Sequence, residues 1–198
     1  MQHNISATSA NFMAVGYDID TTNAVHQSLG VGTHIDFVGT ANENSPHWGM
    51  VGAGRFVKVE NSYAVALGYG AQGDEIKATG IASFAQGYKA RALESYTFAI
   101  GGAQTRDGAP TRPEASGLGA MCMGPNTVSG EHSIGIGKFN TVEGDYGAAS
   151  IGTYNTAKGD KSITLGEGNL TQDTSGSLSQ VAIGTSHELY GDSCVALG

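Results

Sequence analysis

The chain has 198 residues, 31 of them glycine and only 4 proline, with a formal net charge of −8, 39% hydrophobic and 14% charged residues. Glycine without a three-residue period excludes collagen, and so low a charge excludes disorder driven by self-repulsion. Scattered lysines and arginines exclude nucleic acid as a partner, and the lack of an apolar run near the roughly 20 residues of a transmembrane helix predicts no membrane insertion.

Met1-Gln2-His3-Asn4-Ile5-Ser6 has neither a basic start nor an apolar run, so no secretory signal is expected. The first recurring element is Phe12-Met13-Ala14-Val15-Gly16 and the second is Leu29-Gly30-Val31-Gly32. An interval near 33–52 follows, holding Pro46, His47 and Trp48 among turn residues, and it reads as a protruding loop. The pattern resumes at Asn61-Ser62-Tyr63-Ala64-Val65-Ala66-Leu67-Gly68, weakens at Phe84-Ala85-Gln86-Gly87 and recovers over Tyr88–Gly101. A second insertion near 102–116 carries Arg106, Pro110, Arg112 and Pro113.

Units ending at Gly124, Gly137, Gly152 and Gly166 then run almost unbroken. Lys138–Asp145 and Thr153–Asp160 share an Asn-Thr-x-x-Gly-Asp middle in step with the apolar-x-apolar-Gly ends, a period of about fifteen residues. A third insertion near 167–179 precedes Val181-Ala182-Ile183-Gly184 and Val195-Ala196-Leu197-Gly198. The final unit has no polar cap, which predicts that the chain continues or that a partner covers this end.

Apolar residues spaced by two within short runs are a strand period, and about 14–16 residues are too few for a helix-bearing repeat. The fold expected for residues 1–198 is therefore one all-β domain, a parallel β-solenoid of about twelve short coils. Counting back from each closing glycine, positions −1 and −3 hold large aliphatics and position −2 holds Ala, Gly, Ser, Thr or Cys. Successive strand side chains face opposite ways, so one face is large and the other small. The companion strand places Ala90, Ala92, Asn155 and Ala157 on a small set of its own.

If both small sets meet inside, the coil is thin and the aliphatics form an outward stripe. Such a stripe must be covered, and self-association about a symmetry axis covers it economically. The seam candidates are Val65, Leu67, Phe98, Ile100, Ile134, Ile136, Ile151, Ile163, Leu165, Val181, Ile183, Val195 and Leu197. The other arrangement puts positions −1 and −3 into a wider coil and turns the small face outward.

Asn61–Gly68, Gln180–Gly184 and Ser193–Gly198 resemble the Asn-Ser-Val-Ala-Ile-Gly motif of trimeric autotransporter adhesin heads, the YadA-like heads. Tyr88–Gly101 resembles their x-Ala-x-Ala-x-Gly stretch, with Glu94 in place of a glycine. The resemblance implies a left-handed parallel β-roll assembled as a homotrimer. Similar repeats occur in bacteriophage tail fibres, and the Met-initiated start without an export signal matches that case. A phage fibre or appendage at the virion surface is therefore the expected function, with self, other virion proteins and a host cell-surface glycan or protein as partners. The alternative is a bacterial adhesin head at the cell surface, and a third reading is a polysaccharide-degrading solenoid.

No catalytic motif, metal site or cofactor is expected. No Gly-Lys-Ser/Thr loop or His-Glu-x-x-His occurs, no carboxylate pair stands out, and Asp145 and Asp160 read as turn caps. His34, Asp36 and His47 share one interval but read as loop residues rather than ligands. Cys122 and Cys194 read as small fillers of strand slots. Loops on a rigid scaffold carry binding, so His47, Trp48, Arg106 and Arg112 are the receptor-contact candidates.

Overall fold

A computed structural model describes residues 11–23, 25–39, 46–106, 109–172 and 179–198, and every regular element among them is a β-strand. The chain divides into two compact units, Met1–Thr97 and Phe98–Gly198. Each unit is a parallel β-solenoid, and together they hold about ten turns with a repeat of about 16 residues.

In the first unit, Met13–Thr22, Leu29–Val38 and Val51–Glu60 stack in parallel with Gly16, Gly32 and Gly54 in one column. Val65–Tyr69 and Phe84–Tyr88 extend that column through Gly68 and Gly87. Val51-Gly52-Ala53-Gly54, at the end of the interval expected as a loop, is thus a repeat end that closes the third turn at Gly54. Its Ala53 in a slot that elsewhere holds an aliphatic hides it in the sequence. Residues 33–38 are not loop: they form the second side of the coil, with Ile35 opposite Ile19 and Val57. The chain turns the corner inside these strands at Asp18, His34 and Phe56, all at left-handed φ between 53° and 56°.

In the second unit, one side stacks Phe98–Gly102, Met121–Met123, Ile134–Lys138, Ala149–Thr153, Ile163–Glu167, Val181–Thr185 and Val195–Leu197. The other stacks Glu114–Ala115, Thr127–Val128, Thr141–Val142, Thr156–Ala157, Leu170–Gln172 and Glu188–Tyr190. The expected insertion at 102–116 is an antiparallel pair, Gln104–Arg106 with Ala109–Thr111, followed by an ordinary rung at Glu114–Ala115. Within 167–179, Leu170–Gln172 is likewise a rung, and residues 173–178 lie outside the described part.

The interior follows the small-residue reading. Ala66, Ala85, Ala99, Cys122, Ser150, Thr164 and Ala182 at position −2 are buried, as are Ala90, Ala92, Asn155 and Ala157 across the coil. The wide-coil alternative is excluded. Volume is balanced within each turn: Phe37, Ile35 and Val59 point inward where position −2 is glycine. A Cβ on Gly30 would lie 2.9 Å from the Phe37 ring, and one on Gly52 would lie 2.9 Å from Ile35. Where the companion strand offers Ala78 or Ala92, position −2 grows to alanine.

Candidate functional site

Because small residues fill the coil, strand alternation sends the aliphatics out. In the second unit Ile134 is 36% exposed, Ile151 42%, Ile163 37% and Ile183 37%, while Val195 and Leu197 reach 64% and 70%. Ile136, Leu165, Val181, Phe98 and Ile100 share these slots and are half-buried by their neighbours in the stack. Register aligns them: Ile136, Ile151, Leu165, Ile183 and Leu197 form one column. In the first unit Val65 and Leu67 hold the equivalent slots, also half-buried, with Met13 and Val15 exposed in the same columns. Each unit therefore carries an outward aliphatic face free of charge, interrupted in the first unit by Gln86.

The face is held straight by a ladder that the sequence reading passed over. Asn126, Asn140, Asn155 and Asn169 are buried at one corner of successive turns. The backbone N–H of Asn140 donates to Asn126 Oδ1 at 2.9 Å, that of Asn155 to Asn140 at 3.0 Å and that of Asn169 to Asn155 at 2.9 Å. Each amide nitrogen then donates to carbonyls of two turns: Asn140 Nδ2 to Ile136 and Gly152, both at 2.9 Å, and Asn155 Nδ2 to Ile151 at 3.2 Å and Gly166 at 2.8 Å. His187 takes the next slot, its backbone N–H donating to Asn169 Oδ1 at 3.1 Å and its Nε2 lying 2.9 Å from the Gly198 carbonyl. The signal was present in the Asn-Thr pairs of the repeat.

A second ladder joins the opposite turns. Asp145 accepts the Glu131 N–H at 2.7 Å and Asp160 accepts the Asp145 N–H at 2.9 Å, so these carboxylates cap backbone between turns. Burial pushes the Cys122 thiol up to about 12, so it stays protonated at neutral pH.

The loop candidates are dispersed. His47 and Trp48 form a short parallel pairing with Val25 and His26, His47 Nδ1 lies 3.2 Å from the Val38 carbonyl, and Trp48 packs on the His26 ring at 5.0 Å. Trp48 remains 38% exposed. Arg106 sits in the hairpin strand Gln104–Arg106, and Arg112 is half-buried and engaged by neighbours. His47 does not join His34 and Asp36, which line a groove in the first unit instead. Among the described residues, no group of three or more His, Cys, Asp or Glu side chains is placed to hold a metal ion.

No curated protein matches the chain. Residues 78–103, from the Ala78 rung through the turns closed by Gly87 and Gly101, match the family model of the YadA head domain repeat in two copies. The chain carries YadA head domain repeats set in a β-solenoid.

Proposed function

We propose that this chain is a non-catalytic structural domain of the trimeric adhesin type, displayed as a surface-exposed fibre segment. The observation that carries the reading is the outward aliphatic face. A soluble chain does not leave so long an apolar surface to water, and three copies packed about an axis would bury it without a second partner species. The YadA head repeats at 78–103 support the same arrangement. Of the two surface contexts, the head of a bacterial adhesin is the better supported. The phage-fibre expectation draws on the N-terminal residues alone, and nothing in the fold favours it.

Replacing Ile151 and Ile183 by aspartate tests the seam, because both point outward and neither fills the coil. Light scattering is expected to report a trimer for the parent chain and a monomer for the variant, with an unchanged β circular-dichroism spectrum. A monomeric parent, or a variant that still forms trimers, overturns the reading.

A further inference from the structure

The first unit holds a groove of about 480 Å³ that the fold itself does not require. It lies over the second side of the coil, where one outward slot reads Asp20, Asp36, Lys58 and Lys77 on four successive rungs. The residues that build the core here, Ile19, Ile35 and Val57, point the other way. The corner residues Asp18, His34 and Phe56 border the same groove, and the His34 ring stacks on Phe56 at 4.6 Å.

Its two ends differ chemically. Lys58 and Lys77 each have a carboxylate of their own, Glu60 at 3.0 Å and Glu75 at 3.4 Å. No ion pair closes on Asp20 or Asp36 among the described residues. Asp36 is held above the ordinary carboxylate range by its burial, against the pull of Lys58 and with the push of Asp20. Rungs about 4.8 Å apart thus present two acceptor groups and then two donor groups in line, beside an aromatic pair.

We propose that this groove is a glycan subsite that takes one or two rings of an amino-sugar-bearing oligosaccharide. Sugar hydroxyls both donate and accept, so one chain of rings satisfies the aspartates and the lysines together. Phe56 is covered by His34 and by the Arg55 guanidinium, 4.9 Å from its centroid, so the C–H face of a ring packs on the His34 imidazole that Phe56 backs. An amine on the ring meets Asp20 and Asp36, neither of which closes an ion pair among the described residues. A basic peptide side chain matches only the acidic end, whereas the ring hydroxyls of a sugar also accept from Lys58 and Lys77. The volume lies within the range of small-ligand sites. This proposal rests on the adhesive reading and names its ligand class, and three copies per assembly would convert weak single-site contacts into avid attachment.

The test is calorimetry on the full chain with glucosamine tetrasaccharide, N-acetylglucosamine tetrasaccharide and tetralysine, alongside light scattering on the same samples. Glucosamine tetrasaccharide is expected to bind with a Kd of about 1 mM or tighter, the acetylated sugar more weakly and tetralysine least. The isosteric pair Asp20→Asn and Asp36→Asn, folded by circular dichroism, is expected to weaken the amino-sugar about tenfold, the loss of two charge-assisted contacts. Phe56→Leu is expected to weaken both sugars. Absence of heat from either sugar at about 10 mM, equal binding by the asparagine pair, or tetralysine binding as tightly as the amino-sugar overturns the proposal. A trimer that binds no sugar removes the groove proposal alone, and a sugar-binding monomer removes the trimeric reading alone.

Discussion

Asn155 shows how one side chain makes a turn depend on the next. Its Oδ1 accepts the Asn169 N–H at 2.9 Å while its Nδ2 donates to the Gly166 carbonyl at 2.8 Å, both in the following turn, and the whole side chain is out of water. A buried donor or acceptor left without a partner costs about 1–3 kcal/mol. Asn155→Ala takes this partner from one donor and from two acceptors, the Ile151 carbonyl included, so its urea unfolding free energy is expected to fall by about 3 kcal/mol or more. Asp36 has the opposite character. Burial, then the neighbouring carboxylates, raise its folded value above the ordinary 3.8, with Lys58 opposing. The folded state therefore holds this proton more tightly than the unfolded chain, and stability falls as pH rises from below 3.8 through the raised value. Asp36→Asn removes that penalty. Its thermal midpoint is expected to exceed the parent's at pH 7, and the gap to close as the pH drops below 4.

Within a turn, the two sides share one interior, and their residues are matched in volume. Gly30 faces Phe37 and Ile19, and its backbone is not in the left-handed region, so only space forbids a side chain there. Gly30→Ala is expected to cost about 1–3 kcal/mol by overpacking, and Phe37→Leu in the same chain to return much of it. Additive losses in the denaturation cycle would show that the two positions do not share volume. This matching explains what could be read in advance. The small set at position −2 and the alternation were visible in nearly every unit, so the strand period followed from them directly, while the thin coil and the outward aliphatic face also needed the small companion set at Ala90, Ala92, Asn155 and Ala157. Gly54 was missed because the landmark aliphatic before it is Ala53. Residues 33–38 were taken for a loop because their inward residues, Ile35 and Phe37, are large where the companion positions Ala90, Ala92, Asn155 and Ala157 are small. The asparagine ladder was visible as a recurring letter, but its bonds reach into the next turn, which spacing within one unit does not reveal. The groove has no local signature at all, since Asp20, Asp36, Lys58 and Lys77 come from four separate turns that only the register brings together.

At the scale of the whole molecule, stability draws on the outer face as well as on the interior, which in the second unit is filled mainly by small side chains. Alanine, serine and glycine remove little apolar area when buried, whereas an isoleucine or leucine is worth about 1.5–3 kcal/mol if fully covered. In the second unit most of the large aliphatics lie on the outer face, so much of its available hydrophobic free energy is realised only on assembly. Folding and association should then be one process. A trimer melting to three unfolded chains gains about 1 kcal/mol per chain for each tenfold rise in concentration. For a chain of this length that corresponds to a rise of about 2–4 °C in Tm per tenfold. The Ile151→Asp and Ile183→Asp chain, which cannot close the seam, is expected to melt lower and at a Tm independent of concentration. Scanning calorimetry over a hundredfold range checks both. If the parent's Tm does not move with concentration while the chain stays trimeric, the outer face contributes to assembly without supporting the fold, and the thin coil must draw its stability from the asparagine and aspartate ladders instead.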